Sequence, residues 1–265
     1  MAYTINGWFG RVGNNIQQIS NAIYFCRLNG FNFHCPPLKV YGHTLIEQFS
    51  ENFGVESNFS STFYSYYGKE KDFNCDVNEL NSQRKDICET FILPQLKIPL
   101  LKDPLPSSTL VVHIRGGDIF NRNPAYQTIP GDYVQNPLCF YEKLFKEFKS
   151  VLIVTQDFSN PVIKPLQKKQ KVKIISSSVE KDFHWLLRAK NLATSGVGTF
   201  AMAAALCSKN IENLFCTDLF DRGHLNPTMI EGKINVEVNN LTDYIQIGEW
   251  KNTLPQRELM LKYKC

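Results

Sequence analysis

Residues 2–35 read AYTINGWFGRVGNNIQQISNAIYFCRLNGFNFHC, and their reading decides the fold. AYTIN is a short strand and GWFGRVGNN a glycine-rich turn. In the stretch that follows, Ile16, Ile19, Ala22, Ile23 and Cys26 recur at helical spacing, and Asn29–Gly30 stops the run. FNFHC then has strand character. Strand, glycine turn, helix and strand make a βαβ unit, which commits the chain to a parallel sheet.

Outward from this unit the pattern first weakens. Residues 41–102 show no clear period except RKDICETFILPQL (84–96), which reads as helical with Pro94 late in it. LKDPLPSS (101–108), with two prolines, reads as a linker. The division expected from it is 1–104 and 105–265. Beyond it the alternation is regular. STLVVHIRG, SVLIVTQD, VKIISSS, LATS and IENLFCT read as strands, and NPLCFYEKLFKEFK, EKDFHWLLRAKN and GTFAMAAALCSKN as helices. Short apolar strands between amphipathic helices predict a parallel sheet covered on both faces. The tail, including LPQRELMLKYK, carries one more helix, expected to pack back on the first unit.

Composition narrows the function. The 265 residues are 43% apolar with 19 Phe, so core material is sufficient for two α/β units. A net charge of +4 does not mark a nucleic-acid binder. The basic run KPLQKKQKVK (164–173) has no aromatic residue to stack on bases, and reads as a solvated loop between strands. There is no basic start with an apolar h-region and no apolar run long enough to span a bilayer, so a cytoplasmic location is expected. The eight cysteines include no C-x-x-C pair and are expected to be mostly reduced core residues.

Ligands of open parallel sheets sit outside the carboxyl ends of strands. Three stretches fall at such ends. In TSGVGTFAMA (194–203), Gly196 and Gly198 allow a tight turn. The helix that follows then offers free N–H groups for an anion, with Ser195 and Thr199 adding hydroxyls. Gly196-x-Gly198-x-x-Ala201 also fits a dinucleotide fingerprint, with Asp218 placed to end the next strand. In HIRGGD (113–118), Arg115 can fork onto phosphate oxygens. His113 shares its face, Gly116 and Gly117 admit a ligand close to backbone, and Asp118 can orient Arg115. In GRVGNN (10–15), Asn14 and Asn15 suit neutral hydroxyls. Each stretch also has a plain reading: a packed turn, an Arg–Asp pin, an asparagine cap. Asp182 is a first-turn acid or a ligand contact, and Asp157 a turn cap or a ribose contact. His184 and Trp185 read as packing residues. Asp218, Asp221 and His224 read as a polar loop. No D-x-D, G-x-S-x-G or Walker A motif occurs.

HIRGGD resembles the His-x-Arg-Arg-Gly-Asp motif of the α-1,2-fucosyltransferases and of their α-1,6- and protein O-fucosyltransferase relatives. GRVGNN resembles the N-terminal Gly-x-x-Gly-Asn turn of that superfamily. KDFHWLLRAKNLATSGVGTFAMAAAL (181–206) resembles its late segment. The resemblance implies an α/β fold of two Rossmann-like domains facing a cleft (the glycosyltransferase B type). It also implies an inverting reaction without metal or other cofactor, from GDP-β-L-fucose to a glycan acceptor. It implies catalytic roles for Arg115, at the donor diphosphate, and Asn14, near the sugar and acceptor; Asp118 is the carboxylate at hand for a general base, with a substrate-assisted proton route as the alternative. Donor contacts would come from Gly13, His113, Arg115, Gly117, Asp182, Ser195, Gly196, Val197, Gly198, Thr199 and Phe200. Three positions depart from the pattern. The second motif arginine is Gly116 here, and Gly198 and Ala201 stand where serines are frequent. Donor sugar and linkage therefore stay open. Another nucleotide sugar, a non-catalytic glycan- or nucleotide-binding module, and an NAD-dependent oxidoreductase remain as alternatives.

Overall fold

The computed structural model describes residues 2–5, 7–54, 60–62, 76–98, 103–120 and 131–265. Cys75 and the first two residues of the 101–108 linker lie outside these. In the first half, β1 (Ala2–Thr4) leads to α1 (Val12–Asn29) and β2 (Asn32–Cys35). β1 and β2 pair in parallel, so the βαβ reading holds. α1 ends where expected, at Gly30 in the left-handed region (φ 63°). It begins earlier than expected, at Val12. Gly13, Asn14 and Asn15 are therefore helical, not part of the turn.

Four further strands of the first half escaped the sequence pattern. β3 (Leu38–Val40) and β4 (His43–Ile46) form a two-stranded hairpin, and β5 (Phe49–Glu51) pairs antiparallel with β2. With β6 (Ser60–Thr62) the first sheet runs β5-β2-β1-β6. α2 (Val77–Ile87) starts on an Asp76 cap, continues through a π-helical turn (Cys88–Ile92), and ends at the 3-10 turn containing Pro94.

The second half is a six-stranded, all-parallel sheet. Its strands are β7 (Thr109–Ile114), β8 (Ser150–Thr155), β9 (Val172–Ile175), β10 (Asn191–Ala193), β11 (Asn213–Thr217) and β12 (Asn235–Asn239). Their order is β12-β11-β10-β7-β8-β9, that of a doubly wound Rossmann-like sheet. The winding reverses between β7 and β10. Helices α3 (Leu138–Phe145), α4 (Ile163–Leu166), α5 (Val179–Leu187) and α6 (Phe200–Cys207) connect the strands. Alternation along β7 sorts its side chains. Leu110, Val112 and Ile114 join the core that holds α3, whereas Val111 joins the core that holds α5 and α6.

The tail forms α7 (Leu254–Lys262), opened by a Thr253–Gln256 capping box. Its docking differs from expectation. Met260 is buried in the α3 core of the second half, not against the first unit. A disulfide between Cys139 and Cys265, 126 residues apart, fastens the chain end to the start of α3. Cys26, Cys35, Cys88, Cys207 and Cys216 are free and buried, as a core role requires.

The two halves share a continuous apolar core, because α1 and α2 lie on α6. Buried polar groups fix this contact. Arg84 on α2 donates to Ser20 and Asn21 on α1, each at 2.6 Å. Lys85 donates to the carbonyls of Ala205 and Ser208 at the far end of α6, where the helix dipole favours a cation. Backbone meets backbone across this contact at Gly13. A Cβ there would fall 2.5 Å from the carbonyl carbon of Thr199. Inside a helix, Ala is normally better than Gly by about 1 kcal/mol. Here the added carbon has no room, and overpacking of this kind costs about 1–3 kcal/mol. Gly13→Ala should therefore destabilise the protein, seen as a lower urea midpoint at unchanged slope. A raised midpoint would show that α1 and α6 separate freely.

Candidate functional site

The three motifs meet. A cavity of about 420 Å³ opens at the carboxyl end of the parallel sheet, where the strand order reverses. Gly10 to Asn14 and the β3–β4 turn line it from the first half. His113, Arg115, Gly116 and Asp118 line it after β7, and Gly198, Thr199 and Phe200 at the start of α6. Thr155 and Gln156 after β8, and Ser177, Ser178, Val179 and Asp182 after β9, complete the wall.

Asn14 and Asn15 divide the work expected of both. Asn15 turns away from the cavity, donating to the Phe9 carbonyl at 3.0 Å and to Gln18, and so shapes the loop. Asn14 faces the cavity and accepts from the Thr199 hydroxyl at 2.7 Å. With that hydroxyl engaged, α6 has no side-chain cap among the described residues. Its first-turn N–H groups remain for solvent or an anion.

Arg115 is held for use. Its guanidinium stands 4.2 Å from the centre of the Tyr133 ring and 3.6 Å from Asp118, and its side chain is 20% exposed. Asp118 serves a second cation as well. Arg11, from the first glycine turn, reaches its other oxygen at 3.6 Å and donates to Gln156 at 3.1 Å. Sequence reasoning missed Arg11, because a cation inside a glycine turn reads as a solvated surface residue. The departure at Gly116 also gains a reason. A Cβ there would run into the Asp157 carboxylate, 3.1 Å from its Cγ. Asp157 in turn accepts from the backbone N–H of Ser159 at 2.8 Å, so it caps a turn. A side chain at position 116 would have to displace the Asp157 carboxylate from that turn.

Several expected donor contacts lie behind the wall. Ser195 is buried, and its carbonyl accepts from the Asn136 N–H. Gly196 (φ +95°) presses on Val134 and Gln135, where a Cβ would sit 2.7 Å from the Val134 oxygen. Val197 spends its N–H on that same oxygen. Ser195, Gly196 and Val197 thus anchor the turn, and the cavity meets only Gly198, Thr199 and Phe200. The dinucleotide fingerprint is not assembled: its first glycine faces protein and its turn follows β10, not the strand that opens the unit. Asp218 accepts from the Leu241 N–H. Gly117 (φ +71°) donates to Ser159 and likewise supports the turn from behind.

His113 lies in the wall with its ring 5.1 Å from that of Phe200. Burial, and then the charge of Arg115, push its pKa down to about 3, so it meets a ligand as a neutral imidazole. His224 also borders the cavity, with Nε2 3.9 Å from Asp221. Sequence reasoning placed it in an inert polar loop. Trp185 stacks with Arg188 and His184 is buried in α5, which agrees with packing roles. Asp182 is 6% exposed and accepts from the Ser177 N–H at 3.1 Å. Burial raises its pKa to about 6, with Glu180 adding to the effect.

No family model matches the chain, and no curated protein matches it. Solved structures of POFUT1 in complex with GDP and with GDP-fucose align over 81% of this chain and 97% of theirs, at 10% identity and a TM-score of 0.45.

Asp182 makes stability depend on pH with a definite sign. Between about pH 4, where an unfolded aspartate titrates, and about pH 6, the folded protein holds a proton that the unfolded chain has released. Asp182's contribution to stability therefore falls as pH rises through that window and is flat above it. Denaturation curves of wild type and Asp182→Asn should converge on acidification and separate towards pH 6, with the variant the more stable. Parallel pH profiles would contradict this.

Proposed function

We propose that the chain is an inverting, metal-independent glycosyltransferase that moves L-fucose from GDP-β-L-fucose to a hydroxyl of a glycan. The observation that carries this reading is the convergence of Arg115, Arg11 and the uncapped start of α6 on one cavity at the sheet's reversal point. That set suits a diphosphate. Two guanidiniums and a helix N-terminus supply the positive potential that a leaving nucleoside diphosphate needs. The identity of the sugar rests on the resemblance of HIRGGD and GRVGNN to the fucosyltransferase motifs.

In this mechanism the acceptor hydroxyl attacks the anomeric carbon as the bond to the β-phosphate oxygen breaks. Negative charge grows on the diphosphate, so groups aimed at it act mainly on the transition state. Arg115 is the principal group, braced by Tyr133 and Asp118. Asn14, held by Thr199, lies beside the reacting sugar. Both Asp118 oxygens face guanidiniums, so Asp118 aligns the cations, and the acceptor's proton passes to a donor phosphate oxygen. The first unit (1–104) presents the acceptor and the second (105–265) holds the donor.

Arg115→Ala should lower donor turnover by roughly 100- to 1,000-fold while circular dichroism and melting temperature stay native. Thermal shift against GDP, UDP and NADH, followed by GDP-fucose hydrolysis and transfer assays, checks the assignment. Stabilisation by GDP with turnover lost in the variant supports it. Normal turnover by Arg115→Ala would overturn it. Stabilisation by NADH alone would point to the oxidoreductase reading, and GDP binding without hydrolysis or transfer to a binding module.

A further inference from the structure

The β3–β4 hairpin has a rigid root and an unusual tip. Leu38, Leu45 and Ile46 bury its base in the core, and Trp8 Nε1 donates to the Pro37 carbonyl at 3.2 Å. Val40 and His43 pair across a two-residue turn, Tyr41–Gly42, whose φ angles are 49° and 84°. Positive φ at both positions is the type I′ pattern. Its first position favours Asn, Asp or Gly, because a side chain with a bulky Cβ substituent is strained there.

Tyr41 occupies that position, yet it is 70% exposed and contributes little to the core. Folding gains nothing from an aromatic ring held in a strained backbone and turned to solvent. Strain of this kind points to a role outside folding. Tyr41 lines the cavity, together with Val40 and His43 of the hairpin and with Ser177, Ser178 and Asp182, which follow β9. Glu180, in the first turn of α5, has its pKa lowered first by the Ser178 hydroxyl and more weakly by His43 of the hairpin.

Position along the sheet then says what lies there. The diphosphate site is at β7 and β10. β9 is two strands further out from β7, about 10 Å away. A nucleoside diphosphate anchored at Arg115 would extend its nucleoside across β8 towards β9, with the buried Asp182 carboxylate facing donor groups on the base edge. One face of that base would rest on the β9–α5 turn, and the opposite face would meet the hairpin tip.

We propose that Tyr41 is a nucleobase clamp, stacking on the exposed face of a purine whose diphosphate is held at Arg115 and α6. The proposal rests on the diphosphate reading of the cleft. It makes the β3–β4 turn of the first half a specificity determinant for the donor's base, favouring the larger π-face of a purine over a pyrimidine.

Calorimetric titration of GDP, UDP and inorganic diphosphate into wild type, Tyr41→Phe, Tyr41→Ala and Tyr41→Asn tests it. Wild type should bind GDP more tightly than UDP. Tyr41→Phe should keep GDP affinity, and Tyr41→Ala and Tyr41→Asn should lose roughly tenfold or more of it with little change for inorganic diphosphate. Tyr41→Asn should at the same time raise the melting temperature of the free protein, since Asn suits the turn. Stability gained and base affinity lost in one variant is a pattern that a merely structural tyrosine does not give. GDP affinity unchanged in the Ala and Asn variants overturns the clamp alone. A raised acceptor KM at unchanged GDP affinity overturns it in favour of an acceptor contact. Wild type that binds no nucleoside diphosphate overturns both the clamp and the reading on which it rests.

Discussion

The site depends on the close approach of α1 to the start of α6. Gly13 has no Cβ, so the backbone of α1 can lie against Thr199. That contact sets Asn14 within hydrogen-bond reach of the Thr199 hydroxyl. The bond diverts Thr199 from capping its own helix, so the first amides of α6 stay open to the cavity. The same approach brings the preceding turn, with Arg11, over Asp118. A single missing methyl group thus joins two sequence-distant motifs and leaves their polar groups facing one volume. Arg84 and Lys85 keep the arrangement from sliding, since each is buried and bonded across the helices. Breaking either set would strip hydrogen bonds from a buried cation, which costs more than losing them at the surface.

The electrostatics follow from this geometry. Asp118 lies between two guanidiniums, satisfying neither fully at 3.6 Å. The cations are held in place and can still reach a stronger anion. A diphosphate, with more charge and more acceptor oxygens, would draw both away from the carboxylate. Tyr133 supports the Arg115 face without neutralising it. His113, kept neutral, adds a hydrogen-bonding edge without adding charge.

Much of this was legible in the sequence, and the failures have physical causes. Apolar runs ended by polar residues marked β7, β8, β10 and β11, because buried parallel strands have few other readings. Arg115 was visible for the same reason: a guanidinium leaving such a run before two glycines has little structural use. Gly13 was misread as a turn residue because helix propensity argues against glycine, and only the contact with Thr199, far along the chain, overrides it. The reason for Gly116 was equally hidden, since Asp157 approaches from the next strand. β12, an edge strand in which Val236 and Val238 alternate with Asn235, Glu237 and Asn239, was missed although it carries a period of two, because the run is short and follows the Gly232 turn. The hairpin at Tyr41–Gly42 lacks the Asn-Gly or Asp-Gly pair that announces a type I′ turn. α7 could not be docked from its own pattern, because its partner α3 is joined to it only through the fold and the Cys139–Cys265 bridge.

The central claim is that a diphosphate lies between the Arg115 guanidinium and the first amides of α6. A crystal structure of the protein with GDP tests it most directly. Phosphate oxygens are expected within hydrogen-bond distance of Arg115 and of the backbone N–H groups at Phe200 and Ala201, with the Asp118 contact lengthened. GDP bound elsewhere, or its phosphates turned to solvent away from α6, would contradict it.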